Sequence, residues 1–245
     1  MADVGRPLEG RGAIVTGGTS GIGLAIATML ASQGCRVFIC GHDVDRLAEA
    51  LAALRGVGEA EGIAIDLADA EAIGAVFAAG EAWLGGIDIV VLNAAVAAGG
   101  LTATSEAELR HAIAVNFTAC LLGAHAAAAR MVPVGDLILI GSLSARILGP
   151  SSTVYAGIKA GIAGFAAALR RELGPKGIRV ALVEPGKTVS AMQAGMSEEE
   201  QRRMIEEERM LLAEDVAAGV QYLLTQPTRA VVQQLTIVPR ALEGE

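Results

Sequence analysis

Short apolar runs recur along this chain without the polar alternation of a half-exposed strand, among them Val37-Phe38-Ile39-Cys40, Ile89-Val90-Val91-Leu92 and Leu137-Ile138-Leu139-Ile140. A strand that is apolar on both faces must be covered on both faces, and helices returning between parallel strands provide those two covers. The pattern predicts strands at 12–16, 36–40, 62–65, 87–93, 136–141, 179–184 and 234–238. Between them, helical stretches are expected at about 21–33, 43–54, 69–83, 106–131, 152–173 and 213–224. Repeated strand-helix-strand units imply right-handed crossovers and a doubly wound parallel α/β sheet of seven strands. Ligands of such a sheet bind beyond the carboxyl ends of the strands, where Thr16, Asn93, Ser142 and Pro185-Gly186 all fall.

The alternation continues from end to end with no linker, repeat or charge block, so residues 1–245 read as one domain, and 53% apolar content is ample for its core. The one compositional break is the polar helical stretch 197–209, inside a wider segment, 187–212, that is a candidate substrate lid. A net charge of −8 argues against a nucleic-acid footprint and against an anionic membrane surface. Cys35, Cys40 and Cys120 show no metal-ligand spacing, and no metal site is expected. An odd cysteine count, an N-terminus without an apolar core and no long uninterrupted apolar stretch predict a soluble protein of the reducing cytoplasm.

After the first strand comes Thr16-Gly17-Gly18-Thr19-Ser20-Gly21-Ile22-Gly23, leading directly into a helix. Glycines at 17, 21 and 23 suit a tight turn, close backbone approach to a pyrophosphate and close helix-to-strand packing, the features of a dinucleotide loop. An acid that would hold a ribose 2′-hydroxyl is expected at the end of the second strand, where Gly41 stands instead, followed by His42. That exchange favours NADP over NAD, although histidine is an incomplete substitute for arginine. Asp43, two residues on, reads equally well as the cap of the next helix and as that acid.

Tyr155 and Lys159 are one helical turn apart and share a face, with Ser142 upstream at a strand end. A cation about 4 Å from a phenol at an effective dielectric near 20 favours phenolate by about 4 kcal/mol, which brings proton exchange toward neutral pH.

Together, the glycine loop, Asp66-Leu67, Asn93-Ala94-Ala95, Asn116, Ser142, Tyr155 with Lys159, and Pro185-Gly186 resemble the classical short-chain dehydrogenase/reductase family in order and spacing over essentially the whole chain. The resemblance implies a Rossmann fold that binds NADP or NAD. It makes Tyr155 the acid or base on the substrate oxygen, with Ser142 bonded to that oxygen. Lys159 would hold the nicotinamide ribose and lower the Tyr155 pKa, and Asn116 would anchor a water of the proton relay. Gly17, Thr19, Ser20, Gly21, Ile22 and Gly23 would cradle phosphate, and His42 would meet a 2′-phosphate. Asp66 and Leu67 would contact adenine, Asn93, Ala94 and Ala95 would border the ribose, and Pro185, Gly186 and Thr188 would flank the nicotinamide.

The chain departs from the family pattern in three places. Ala95 replaces a glycine, Ser190 replaces a frequent threonine, and the end LTIVPRALEGE lacks the Asp-Gly-Gly terminus of acyl-carrier-protein reductases. That ending is closer to members acting on small hydroxy acids and miscellaneous alcohols. The expected substrate is a small carbonyl compound or secondary alcohol, in a pocket built from residues 94–99, Ser144, Arg146 and 187–212. The alternatives are an NAD-dependent alcohol dehydrogenase, a 3-oxoacyl reductase and, in another class, a silent dinucleotide sensor. The small residues of 156–168 suit close packing on more than one side and, by the resemblance, a homodimer or homotetramer.

Overall fold

The computed structural model describes residues 7–131, 133–189 and 196–241. Its elements, in chain order, are β1 (Gly12–Thr16), α1 (Gly21–Ser32), β2 (Arg36–Gly41), α2 (Val44–Arg55), β3 (Glu59–Ala64), α3 (Ala72–Leu84), β4 (Ile89–Leu92), α4 (Glu106–Ile113) and α5 (Ala119–Arg130). They continue with β5 (Gly135–Ile140), α6 (Thr153–Leu173), β6 (Ile178–Pro185), α7 (Glu198–Glu206), α8 (Ala213–Leu224) and β7 (Gln234–Ile237). The seven strands form one sheet in the order β3-β2-β1-β4-β5-β6-β7, and every pairing is parallel. The order reverses between β1 and β4, which opens a crevice beyond their carboxyl ends.

Successive residues of a strand face opposite ways, so Ile14 joins one core layer and Val15 the other. The first layer is closed by α3, α5 and α6 through Phe77, Ala127 and Ile162. The second is closed by α1, α2 and α8 through Leu30, Leu54 and Val220. This double cover is why the strands read as unbroken apolar runs.

Two expectations need correction. β3 starts at Glu59 rather than at residue 62, because this edge strand carries Glu59 and Glu61 and so lacks the apolar run of a central strand. The stretch 106–131 is two helices joined by a wide π-type turn at Ala114–Thr118. The combined 106–130 stretch is long and apolar enough to span a bilayer, but half of it is buried within the fold, as a core helix is.

At the amino edge of the sheet, Asp136 accepts from Arg11 Nη2 at 2.5 Å and from Arg179 Nε at 2.6 Å. Arg179 also donates to the carbonyls of Leu224, Gln226 and Pro227 at and just past the end of α8, and Asp88 accepts from the Gly12 amide. This buried ionic group clamps β1, β5, β6 and the end of α8 together.

Candidate active site

The carboxyl edge opens into a cleft of about 1190 Å³ that runs from the glycine loop past Tyr155 to Met204. Gly17 has φ +64°, and a Cβ there would lie 2.8 Å from the Ala94 Cα. At Gly23 a Cβ would come within 2.1 Å of the Gly17 carbonyl oxygen, so α1 seats against the loop only through a glycine. The cap of α1, Ser20, makes no side-chain cap bond, which leaves the first amides of the helix available to an anion. This cradle fits a dinucleotide phosphate.

Asn93 braces the same corner. Its Nδ2 donates to the Thr16 and Gly17 carbonyls at 3.0 and 3.1 Å, while Thr16 Oγ1 accepts from the Asn93 and Ala94 amides. Ala95, where the family pattern has glycine, does not need positive φ, so the added methyl introduces no backbone strain.

At the end of β2, a Cβ on Gly41 would lie 2.6 Å from Thr19 Cγ2, so the loop is packed around the missing side chain. The Asp43 carboxylate accepts from the Arg46 amide at 3.0 Å, as a helix cap, and that bond is the main cause of its lowered pKa. His42 lines the cleft, joined by Arg46, a cation one turn into α2 that sequence reading missed. Asp66 caps its own turn through the Ala68 amide and lines the cleft with Leu67.

On the catalytic side, Ser142, Tyr155 and Lys159 all line the cleft. Burial pushes the Tyr155 phenol up, and a hydrogen bond with the Ser142 hydroxyl pulls it partly back. Lys159 is buried, and its burial draws the ammonium down from 10.5 to about 8. Its Nζ donates to the Ile140 carbonyl at 2.8 Å and lies 5.5 Å from the centre of the Tyr155 ring. The expected lowering of the phenol by Lys159 is therefore not what this geometry produces. The ammonium is turned toward the end of β5, and desolvation dominates both groups.

Asn116 does not line the cleft. It sits behind the wall, inside the wide turn, and clasps one residue of the loop after β4. The Val96 amide donates to Asn116 Oδ1 at 2.7 Å, and Asn116 Nδ2 donates to the Val96 carbonyl at 2.8 Å. Gly23 likewise supports the cradle from behind. Pro185, Gly186 and Thr188 form the far wall, where the Gly186 amide donates to the Ile237 carbonyl and Thr188 Oγ1 donates to the Gly186 carbonyl.

Arg146, a candidate partner for a substrate carboxylate, is committed elsewhere. Its Nε donates to Glu184 Oε2 at 3.0 Å, and Gln234 and Thr236 donate to the same carboxylate. Ser144 lines the cleft, and its amide donates to Ser142 Oγ at 3.1 Å. His111, which sequence reading passed over, also reaches the cleft. Ser190 and most of the loop preceding α7 lie outside the described residues.

A sequence model of the short chain dehydrogenase family matches residues 11–201. The chain belongs to the short-chain dehydrogenase/reductase family. It is 36% identical over 242 residues to a ketoacyl reductase assigned to the granaticin polyketide synthase of Streptomyces violaceoruber, a match covering 91% of this chain and 89% of the relative. An uncharacterised oxidoreductase of Staphylococcus aureus is 30% identical over 230 residues, covering 93% and 96% of the two chains. Among solved structures, a short-chain dehydrogenase of Burkholderia cenocepacia in complex with NADP superposes with a TM-score of 0.85 at 30% identity, over 95% and 98% of the two chains. This short-chain dehydrogenase/reductase is thus an NAD(P)-dependent oxidoreductase.

Proposed function

We propose that the protein is an NADP-preferring oxidoreductase that interconverts a small carbonyl compound and its secondary alcohol, with Tyr155 transferring the proton. The observation that carries this reading is the convergence of Ser142, Tyr155 and Lys159 on the cleft that begins at the phosphate cradle. Bound nicotinamide supplies or accepts the hydride. Tyr155, held as a neutral phenol by burial, donates its proton to the carbonyl oxygen during reduction, and Ser142 donates a hydrogen bond to that oxygen. We assign Lys159 to the nicotinamide ribose, while Asn116 fixes Val96 in the loop that walls the site.

The preference for NADP rests on the end of β2. No acid stands at Gly41, the Asp43 carboxylate is occupied as a cap, and His42 and Arg46 border the cleft where a 2′-phosphate would add charge. We place the enzyme in the cytoplasm, with α7 closing part of the 187–212 lid: Met204 lines the cleft from that helix. We assign it a homo-oligomeric state, a dimer or tetramer, because Gly157 and Gly164 present open space on α6 and Ile113 and Leu122 are 41% exposed on α4 and α5.

Tyr155→Phe tests the central claim. Its carbonyl turnover should fall by at least about a thousandfold while NADPH still raises the melting temperature, and full turnover would refute the proton role. NADPH should raise the wild-type melting temperature more than NADH at equal concentration, and the reverse order would overturn the NADP preference.

A further inference from the structure

Charge is divided unevenly along the cleft. Its lining carboxylates, Asp43 and Asp66, both belong to the end nearest β2 and β3, and each is engaged with a backbone amide in its own turn. The opposite end, beyond Tyr155, is lined by His111, Lys187 and Arg209 and by no carboxylate among the described residues. Around these cations the wall is apolar or small, with Val96, Ala97, Leu143, Ile147 and Met204. His111 and Lys187 are themselves exposed at the rim of the cleft, so an anion entering there meets their positive potential at the mouth of the site.

Lys187 is the cation best placed to act. It directly follows Gly186 at the end of β6, and its backbone is fixed: its carbonyl accepts from the Leu211 amide at 2.8 Å, and Thr188 bridges to Leu211. Its Nζ reaches across to Met204 Sδ at 3.5 Å, a weak acceptor that does not neutralise an ammonium. Arg209 is paired with Glu207 at 3.0 Å, and Arg146 is held by Glu184. A rigid root, a resting contact with a thioether and a place in the wall of the cleft that holds Tyr155 are what a substrate-charge reader requires.

We propose that the substrate is an organic anion, an oxo acid or the corresponding hydroxy acid, whose acidic group pairs with Lys187 while its carbonyl oxygen meets Tyr155 and Ser142. This rests on the oxidoreductase reading above and adds the substrate class to it. Carboxylate and phosphonate are the two forms of the same anionic chemistry.

The test uses matched pairs: acetoacetate and methyl acetoacetate, 4-oxopentanoate and its methyl ester, and 2-oxopropylphosphonate and its dimethyl ester, each with NADPH. Wild type should favour the anion of at least one pair by roughly tenfold or more in kcat/KM, mainly through KM, and that pair identifies the acidic group. Lys187→Met should bring that ratio toward one, and Lys187→Arg should restore most of it. Equal turnover of acid and ester in every pair, or a ratio untouched by Lys187→Met, would overturn the proposal while leaving the oxidoreductase reading intact. A weakening of NADPH binding by Lys187→Met, with acid and ester affected alike, would instead assign the ammonium to the cofactor diphosphate and also overturn it. If no member of any pair is turned over, the proposed reading as a reductase of small carbonyl compounds fails. The same anions and esters, added to the NADP complex of wild type and Lys187→Met, still decide the binding claim by their melting-temperature shifts.

Discussion

Lys159 shows what a single buried side chain does to the enzyme. Its ammonium is drawn from 10.5 to about 8, which corresponds to about 3 kcal/mol of destabilisation at neutral pH. The folded value lies below the unfolded one, so the penalty is fully present below pH 8 and fades as pH rises toward 10.5. Lys159→Met should therefore raise stability by up to about 3 kcal/mol at pH 7 by chemical denaturation, with the gain shrinking by pH 10 and activity lost throughout. Tyr155 and Lys159 could be paired from their spacing alone. The sequence could not show that the Nζ turns to the Ile140 carbonyl, because that direction depends on where β5 ends in space. Arg46 was hidden for a similar reason: one turn into α2, it reads as an ordinary exposed helix residue until β2 is seen to aim that helix at the cleft.

Among the elements, the joint between the loop after β4 and the wide turn at 114–118 matters most for the site. The central strands were legible as unbroken apolar runs, α1 as the apolar stretch following the glycine loop, and α6 and α8 by their amphipathic periodicity. The split of 106–131 was not, since the residues after His111 are apolar or small on nearly every side, so the rotation that an extra residue introduces breaks no visible stripe. The signal was Asn116 itself, an amide in an apolar helix that must find partners. It finds both the amide and the carbonyl of Val96, so Asn116→Ala strands two backbone groups. We expect a loss of about 2 kcal/mol or more by denaturant titration, and a lower kcat as the loop loses its anchor.

For the molecule as a whole, the α6 face is the surface most exposed to test. A Cβ at Gly164 meets no atom within 4 Å in its own chain, so Gly164→Arg should fold and gain about 1 kcal/mol of helix propensity in the isolated subunit. If copies of the chain pack through this face, light scattering should show the variant smaller than wild type. Equal masses would move the oligomer contact elsewhere. The ionic group around Asp136 has a different consequence. Asp136→Ala would leave the Arg11 and Arg179 charges buried without their partner, a loss of about 3–5 kcal/mol. Yet β5 carries Asp136 about 20 Å from Ser142, so its effect should add to that of Lys159→Met within about 0.5 kcal/mol. The two rims of the sheet then behave as separable modules, and loops at the working rim can be exchanged for other substrates without redesigning the clamp that holds the strands.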